Sequence, residues 1–212
     1  MRNPIKPMTD LNGLPVLTPS NDEAYSYYSN YLLNNRELLD AMIIRHSKVL
    51  FLRFDVRFPD TYCWSEPMMY WWKFLDLLRR WLVENGFDPQ YVVRMEQKTS
   101  LNPHFHVGLL LNGNKANEEN AYFYKLQAEQ IWQKVLGVKQ TGLVDFCNKD
   151  YWGNPMPEGI LIVRPPERTG VDVRTTLEYI KVFKAMSYLA KYTPEDQIPS
   201  SQRKVFYSQC NR

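Results

Sequence analysis

The chain has 212 residues, of which 44% are apolar and 14% aromatic, and its formal net charge is +3. This composition excludes a disordered chain and suffices for one well-packed domain, while the charge is too small to indicate a polyanionic partner unless the basic residues are clustered. The scattered cysteines have no disulfide or metal-site spacing, and no apolar run has the length of a signal-peptide core or a membrane span, so we expect a reduced, cytoplasmic protein without membrane contact.

The N-terminal part of the chain predicts an arm followed by a helix. Residues 1–18 are rich in proline and polar side chains and predict an arm with little structure of its own. In the segment after it, Ser20 followed by Glu23 forms a capping box, and apolar residues recur at helical spacing up to residue 46. We therefore treat residues 1–47 as an N-terminal arm and helix and residues 48–212 as the main domain.

The main domain is predicted to begin with a strand that has one polar face and then a helix. Residues 48–58, KVLFLRFDVRF, alternate between apolar residues on one face and a polar set on the other. That polar set is Arg53, Asp55 and Arg57. Residues 65–86 begin with Ser65 as a cap and end at Gly86, which predicts a helix of about five turns packed on a sheet through its aromatic side chains.

Two more strands carry polar residues in the same phase. In YVVRMEQK, residues 91–98, one face carries Arg94, Glu96 and Lys98. In HFHVGLLLN, residues 104–112, one face carries His104 and His106. The remaining predicted elements are a helix over 117–136, a strand over 142–147, an edge strand over 158–165 and a last helix from about Val171 to Tyr192.

The order strand, helix, strand, strand, helix, strand is that of a ferredoxin-like core. The sequence therefore predicts an α+β fold, a βαββαβ core with an antiparallel sheet, both helices on one face of it and the other face open. Because the three polar sets lie in one phase, they are expected to share the open face.

A metal site is predicted where two of these strands meet. His104 and His106 are two of only three histidines, and Glu96 precedes the first of them by eight residues across a short hairpin connection. Neutral imidazole and carboxylate suit Mn²⁺, Mg²⁺ or Zn²⁺, with coordination positions left open when the protein supplies three ligands. Asp55 on the neighbouring strand is placed to orient a histidine, and Gly108 leaves room for a ligand.

Other interpretations of these residues stay open. Histidines at this spacing are often hydrogen-bonded without a metal. Gln97, which lies in the opposite phase, would replace Glu96 as a ligand if the strand carried a bulge. Asp55 could equally be an ion-pair partner of Arg53 or Arg57.

The last predicted helix carries a candidate nucleophile. On a helix, Tyr188, Lys191 and Tyr192 project within about one third of the circumference. Two tyrosines at this spacing more commonly belong to a packing stripe, but a lysine within the stripe disfavours that interpretation. A phenol has a pKa near ~10 and needs a nearby cation and a metal-polarised electrophile to act as a nucleophile, and a phosphodiester meets this requirement.

These residues resemble the HUH endonucleases, a superfamily named for its metal motif of histidine, hydrophobe, histidine. HFH at 104–106 matches that motif, LFLRFDV at 50–56 lies where the first core strand of the family lies, and YLAK at 188–191 matches the tyrosine motif. More narrowly, residues from about 48 to 212 resemble the domain of filamentous-phage and prophage rolling-circle replication initiators, which carry counterparts of HFHVGLLLN, IWQKVLG, GLVDF and YLAKY in that order.

The resemblance implies a role for each matched residue. It implies that His104, His106 and Glu96 bind a divalent metal, Mn²⁺ or Mg²⁺. It implies that Tyr188 is the nucleophile and that Lys191 is the cation beside the phosphotyrosine.

Tyr192 is the second candidate nucleophile implied by the two-tyrosine branch of the family. In this chain Glu195 stands where that branch tends to repeat its lysine, and Pro194 ends the helix early, so Tyr188 is the first candidate. The basic residues expected to contact nucleic acid are Arg53, Arg57, Arg94 and Lys98.

The implied activity is nicking and rejoining of single-stranded DNA, at an origin or a hairpin, through a 5′-phosphotyrosine intermediate. Such a reaction initiates rolling-circle replication of a phage, prophage or mobile element in a bacterial cytoplasm. The alternatives are a transposase or mobilisation nickase with the same chemistry, a non-catalytic module that binds single-stranded nucleic acid, and a hydrolase that activates water. The sequence shows no nucleotide-binding loop, so a host or phage helicase is an expected partner, together with a polymerase.

Overall fold

The computed structural model describes residues 5–18, 24–61, 63–147, 157–198 and 203–208, so the capping box expected at Ser20 and Glu23 lies outside the described residues. The strands are β1 Ile5–Pro7, β2 Asp10–Leu11, β3 Leu14–Pro15, β4 Ser26–Tyr28, β5 Lys48–Val56, β6 Gln90–Glu96, β7 His104–Asn112, β8 Val144–Phe146, β9 Gly159–Val163 and β10 Val205–Tyr207. The helices are α1 Ser29–Arg45, α2 Pro67–Glu84, α3 Ala121–Leu136 and α4 Leu177–Ser187, and 3₁₀ turns occur at Glu118–Asn120, Glu167–Thr169, Val173–Thr175 and Tyr188–Ala190.

The main sheet has the strand order β10-β6-β7-β5-β8, and every neighbouring pair is antiparallel. Helix α2 connects β5 to β6 and helix α3 connects β7 to β8, so the chain order of the core is βαββαβ. This confirms the predicted α+β fold with an antiparallel sheet. The predicted edge strand is β9, which pairs with the first half of β5, while β8 pairs with the second half.

The first face of the sheet packs against α2 and α3, as the aromatic pattern predicted. Trp71 and Phe74 from α2 and Trp132 from α3 are fully buried against Phe105 of β7. The rings of Trp71 and Phe105 are stacked with centroids 4.0 Å apart. Removing one such side chain from water contributes about 1.5–3 kcal/mol, so this cluster is a major source of the stability of the sheet.

The second face of the sheet is not open along its whole length, which corrects the prediction. Helices α1 and α4 cover one half of it, and Met42 and Phe183 pack there against Phe51, Val92 and Leu110. The physical reason lies within the strands themselves. In the phase that carries the polar set, one half of each central strand is apolar, so only the other half is left for polar groups.

The sequence predicts that Gly108 leaves room for a ligand, and this prediction is wrong. A Cβ atom at this position would lie 3.0 Å from Leu189, 3.2 Å from Val92 and 3.3 Å from Phe51. The absent side chain therefore lets the 3₁₀ turn after α4 approach the sheet closely.

The last helix is shorter than the sequence predicted. It ends at Ser187, and the backbone continues as a 3₁₀ turn before Lys191 becomes extended. Lys191 forms a β-bridge with Tyr27, and the amide of Tyr192 donates to the carbonyl of Ser26 at 2.7 Å. Because pairing with the N-terminal segment satisfies the backbone here, the helix does not extend through Tyr192.

The N-terminal arm is structured, which also corrects the prediction. Strand β1 pairs with β4, and β2 pairs with β3. Leu11, Val16 and Tyr27 are buried in the same core as α1 and α4. Small numbers of apolar residues placed between the prolines are enough to bury this segment against α1 and α4. No helix in the described part of the chain is long and apolar enough to cross a bilayer.

Candidate metal and tyrosine site

The predicted metal-ligating residues converge at the polar end of the sheet. In the strand register Glu96 is paired with His104, and His106 lies between Arg94 of β6 and Asp55 of β5. The Nε2 atoms of the two histidines are 3.1 Å apart, and Glu96 Oε2 lies 3.3 Å from His106 Nε2 and 3.5 Å from His104 Nε2. Strand alternation and register are sufficient to bring these three side chains together.

The spacing of these atoms fits one divalent ion. Ligand atoms about 2.1 Å from a metal are about 3.0 Å apart in octahedral coordination and about 3.4 Å apart in tetrahedral coordination. The three observed distances, 3.1, 3.3 and 3.5 Å, lie in this range or within about 0.1 Å of it. Glu96, His104 and His106 form the group of described residues whose ligand atoms could hold a metal. Two imidazoles and a carboxylate on one side leave the opposite coordination positions open.

Asp55 contacts His106, which is one of the alternatives that the sequence left open, and it also lies 3.9 Å from Arg57. Its carboxylate accepts a hydrogen bond from Nδ1 of His106 at 2.7 Å, which leaves Nε2 directed at the other two ligand atoms. Burial alone would raise the pKa of Asp55, but the hydrogen bond and the charge of His106 lower it to about 2. Burial alone would lower the pKa of His106, but hydrogen bonds to Asp55 and Glu96 raise it above its ordinary value. In the metal-free protein these charges stabilise one another.

Cys147 is a further neighbour of Asp55 that the sequence had not suggested. Its thiol donates to the Asp55 carboxylate at 3.3 Å. Burial raises the pKa of the Cys147 thiol to about 12, so it remains protonated and acts as a donor. Scattered cysteine spacing gave no signal of this contact.

Glu96 is held by a second buried group, which involves Arg94 and Thr193. Burial would raise the pKa of Glu96, but hydrogen bonds from the two histidines and from Thr193 hold it well below its usual range. Arg94 donates to the Thr193 hydroxyl at 3.2 Å and to the carbonyl of Lys191, and its guanidinium lies 3.9 Å from the Glu96 carboxylate. Arg94 is only 2% exposed, which argues against the predicted contact with nucleic acid. It connects the metal-ligand strand to the segment after the tyrosine.

Tyr188 lies next to the candidate metal ligands. Its ring is edge-on to the His106 ring, with centroids 5.2 Å apart, and the Arg53 guanidinium lies over it at 4.1 Å. Burial and the negative charge of Glu96 raise the pKa of Tyr188 to about 12, while Arg53 acts in the opposite direction. Arg53 was predicted to contact nucleic acid, and in the structure its guanidinium stacks on the candidate nucleophile.

The other two residues of the tyrosine motif have different surroundings. The Lys191 ammonium is 5.8 Å from the centroid of the Tyr188 ring. The Tyr192 ring packs edge-on against Tyr28 with centroids 5.8 Å apart. Because the helix ends before them, the three side chains do not form the single helical stripe that the sequence predicted.

Two of the predicted basic residues line a cleft beside the metal ligands. This cleft has a volume of about 290 Å³, and His104 forms part of its wall. Arg57 and Lys98 line it together with Ser100 and Asn102. The cleft therefore places two basic side chains, together with the carboxylate of Asp60, beside a candidate ligand histidine.

No protein-family model and no curated protein matches this chain. Among solved structures, the chain is similar to the catalytic domain of the adeno-associated virus type 5 Rep protein, with 14% sequence identity over 66% of this chain and 98% of that chain, and a TM-score of 0.33. At this level of similarity, the fold assignment depends on the strand order of the chain itself, and the candidate site depends on its own side-chain geometry.

Proposed function

We propose that this protein is a metal-dependent endonuclease of the HUH type, which cuts single-stranded DNA and becomes linked to it through Tyr188. One observation supports the proposal above all. Three ligand atoms of Glu96, His104 and His106 lie within 3.5 Å of one another, and the Tyr188 ring lies beside one of those histidines. A metal group without an adjacent nucleophile would favour a simple hydrolase.

Glu96, His104 and His106 are the residues that would hold the metal, with Mn²⁺ or Mg²⁺ as the proposed ion. When bound, a divalent ion supplies charge that polarises a non-bridging phosphate oxygen and offsets the negative charge of Glu96. Asp55 keeps the His106 ring in the orientation that this coordination requires.

Tyr188 is the proposed nucleophile. Its phenol releases a proton to solvent, its oxygen bonds to the phosphorus, and the bond from phosphorus to the 3′ oxygen breaks. The departing 3′ oxygen takes up a proton from solvent, and the 5′ phosphate stays on the tyrosine. Arg53 and Lys191 place positive charge at 4.1 Å and 5.8 Å from the ring, where it favours the phenolate. Attack by the 3′ hydroxyl reverses the reaction and rejoins the strand.

The cleft beside His104 is the proposed path of the DNA strand. Phosphate oxygens are bound in proteins mainly by arginine, lysine and hydroxyl groups, and the cleft offers Arg57, Lys98 and Ser100. We assign DNA contact to these residues, and we assign Arg53 and Arg94 to the support of Tyr188 and Glu96.

The biological setting that we propose is the initiation of rolling-circle replication of a phage, prophage or mobile element. The resemblance of YLAK and HFH to replication initiators supports this setting. A helicase and a polymerase of the host or phage would act after the nick. The same site chemistry would serve a transposase or a mobilisation nickase, and the DNA substrate distinguishes these three.

A covalent-adduct assay tests the proposed activity. The protein is incubated with labelled single-stranded oligonucleotides of varied sequence and with hairpins, in Mn²⁺ or in chelator, and the products are separated on a denaturing gel. We expect a band at the mass of protein plus DNA in Mn²⁺ only, and its loss in Tyr188→Phe. Tyr192→Phe is the matched control and should keep the band.

Other outcomes would identify another function. Cut DNA without a protein-linked product would indicate a hydrolase that activates water. DNA binding that is equal in chelator and never becomes covalent would indicate a binding module.

A further inference from the structure

The aromatic side chain of Tyr25, in the N-terminal segment, contacts Lys191 of the candidate active site. The Lys191 ammonium lies 3.8 Å from the centroid of the Tyr25 ring, closer than it lies to Tyr188. Within the described residues, the Lys191 ammonium has no salt-bridge partner. The Tyr25 ring faces this half-buried charge at close range, and the carboxylates of Glu96 and Glu195 act on it from farther away.

The segment that carries Tyr25 is fixed to both sides of Tyr188. On the N-terminal side, the amide of Leu17 donates to the hydroxyl of Ser187 at 2.9 Å. On the C-terminal side, Tyr27 forms a β-bridge with Lys191, and the hydroxyl of Tyr27 donates back to the carbonyl of Leu17. These contacts enclose the short turn on which the tyrosine lies.

Helix α1 adds a contact to the same turn. The side chain of Asn35, which is fully buried, donates to the carbonyl of Met186 at 2.8 Å. This carbonyl is one of the last of α4, and it accepts from the backbone amide of Tyr188 as well as from Asn35. Residues before 48 therefore fix where α4 ends, and hence where the tyrosine turn begins.

We propose that the N-terminal segment is part of the nicking site, and that Tyr25 is a positioning residue that holds the Lys191 ammonium beside Tyr188. This inference rests on the proposed function, because the function defines what Lys191 does. The ring binds the ammonium through the negative face of its π-system, so the contact depends on an aromatic ring and not on the tyrosine hydroxyl.

The contact with Tyr25 restricts the conformational freedom of the Lys191 side chain. A lysine side chain has a flexible four-carbon stem and a strongly hydrated charge, so an unsupported ammonium would favour solvent over a half-buried position. The ring of Tyr25 makes the inward position favourable before any DNA binds. The proposed site therefore has its cation in place when the phosphotyrosine forms, and less ordering is required during the reaction.

The contact itself is tested without reference to nicking. Lysines of the full chain are reductively methylated with ¹³C-formaldehyde, which preserves their charge, and the Lys191 signal is assigned by its loss in Lys191→Arg. We expect an upfield ring-current shift of this signal in the wild type and in Tyr25→Phe, and a random-coil position in Tyr25→Leu. A random-coil position in the wild type would overturn the proposal, and this outcome does not depend on the folding of Tyr25→Leu.

The functional consequence is tested by the rate of adduct formation with a labelled oligonucleotide in Mn²⁺. Tyr25→Leu should lower the rate roughly 3- to 30-fold, the range of a single cation–π contact, while Tyr25→Phe stays near the wild type. In a Lys191→Met background, Tyr25→Leu should cause no further loss, because its effect acts through the lysine. Tyr122→Leu on the exposed surface of α3 is the matched control, and Mn²⁺ affinity should not change in any of these variants.

The outcomes separate the two proposals. Two results would show that the positioning role is wrong while the proposed function stands. In the first, the wild type forms an adduct and Tyr25→Leu reacts at the wild-type rate. In the second, Tyr25→Leu lowers the rate of adduct formation by the same factor in the wild type and in the Lys191→Met background. If the wild type shows the ring-current shift but forms no adduct with any substrate, the contact is real, and both the proposed function and the catalytic meaning of Tyr25 are wrong.

Discussion

Replacement of Asp55 should weaken metal binding without removing a metal ligand. The carboxylate contacts Nδ1 of His106 at 2.7 Å in a buried position, so it fixes the tautomer and the orientation of the ring. Loss of the group that hydrogen-bonds a metal-binding histidine typically lowers metal affinity by roughly 10- to 100-fold, which corresponds to about 1.4–2.7 kcal/mol of binding free energy. Asp55→Asn keeps an acceptor oxygen and should lie near the lower limit, whereas Asp55→Ala should lie near the upper one.

The pH dependence of metal binding gives the same prediction a second readout. His106 has a raised pKa in the metal-free protein, and it must lose its proton before Nε2 can bind a metal. Mn²⁺ affinity should therefore rise by up to about tenfold per pH unit below that pKa and become level above it. Asp55→Asn removes a charge that raises the pKa of His106, so the plateau of Mn²⁺ affinity should begin at a lower pH.

Isothermal titration with Mn²⁺ over a series of pH values measures both effects. Asp145→Asn is the matched control, because Asp145 is paired with Asp55 across β5 and β8 but is exposed and bonds Lys125. Wild-type affinity in Asp55→Ala, or an unchanged pH profile in Asp55→Asn, would refute the role given to this carboxylate.

Two substitutions test the packing that positions the site. Gly108→Ala places a Cβ atom 3.0 Å from Leu189, so we expect a loss of about 1–3 kcal/mol in urea unfolding and slower adduct formation at Tyr188, with Mn²⁺ affinity preserved; wild-type stability and rate together would contradict the close approach. Phe105→Ala removes the ring stacked on Trp71 and should cost about 3–5 kcal/mol by the same unfolding measurement, and a loss below about 1 kcal/mol would contradict the central place of this pair.

The convergence of the three candidate metal ligands was predictable from the sequence because it depends on strand periodicity. Side chains two residues apart on a strand share a face, so His104 and His106 were certain to lie together if the segment was extended. The short hairpin before them fixed the register with Glu96. Alternation alone also placed Asp55 on the same face.

The arrangement around the tyrosine was not predictable in the same way. The helix was expected to continue through Tyr192, since its residues have no local signal that ends it before Pro194. Its actual end is set by Tyr27 and Ser26, which pair with the backbone from more than 150 residues away. Helix propensity depends on the local sequence, so it does not predict pairing with a distant segment.

The open face was misjudged for a related reason. Phe51, Val92 and Leu110 lie on the same face of the sheet as the polar residues. The sequence analysis did not predict any element that packs against them. The partners are α1 and α4, whose packing on the sheet the βαββαβ order does not specify. The roles of Arg94 and Thr193 likewise depend on the position of the segment after Tyr188. Because the alternation of polar and apolar residues does not show this position, the sequence predicted Arg94 only as an exposed basic residue.

Identification of the residue that carries the DNA tests the account most directly. After reaction with a single-stranded oligonucleotide in Mn²⁺, the adduct is digested with nuclease and trypsin, and the modified peptide is sequenced by mass spectrometry. We predict a nucleotide remnant on Tyr188. A remnant on Tyr192 or on another residue, or cleavage with no remnant on the protein, would contradict the account.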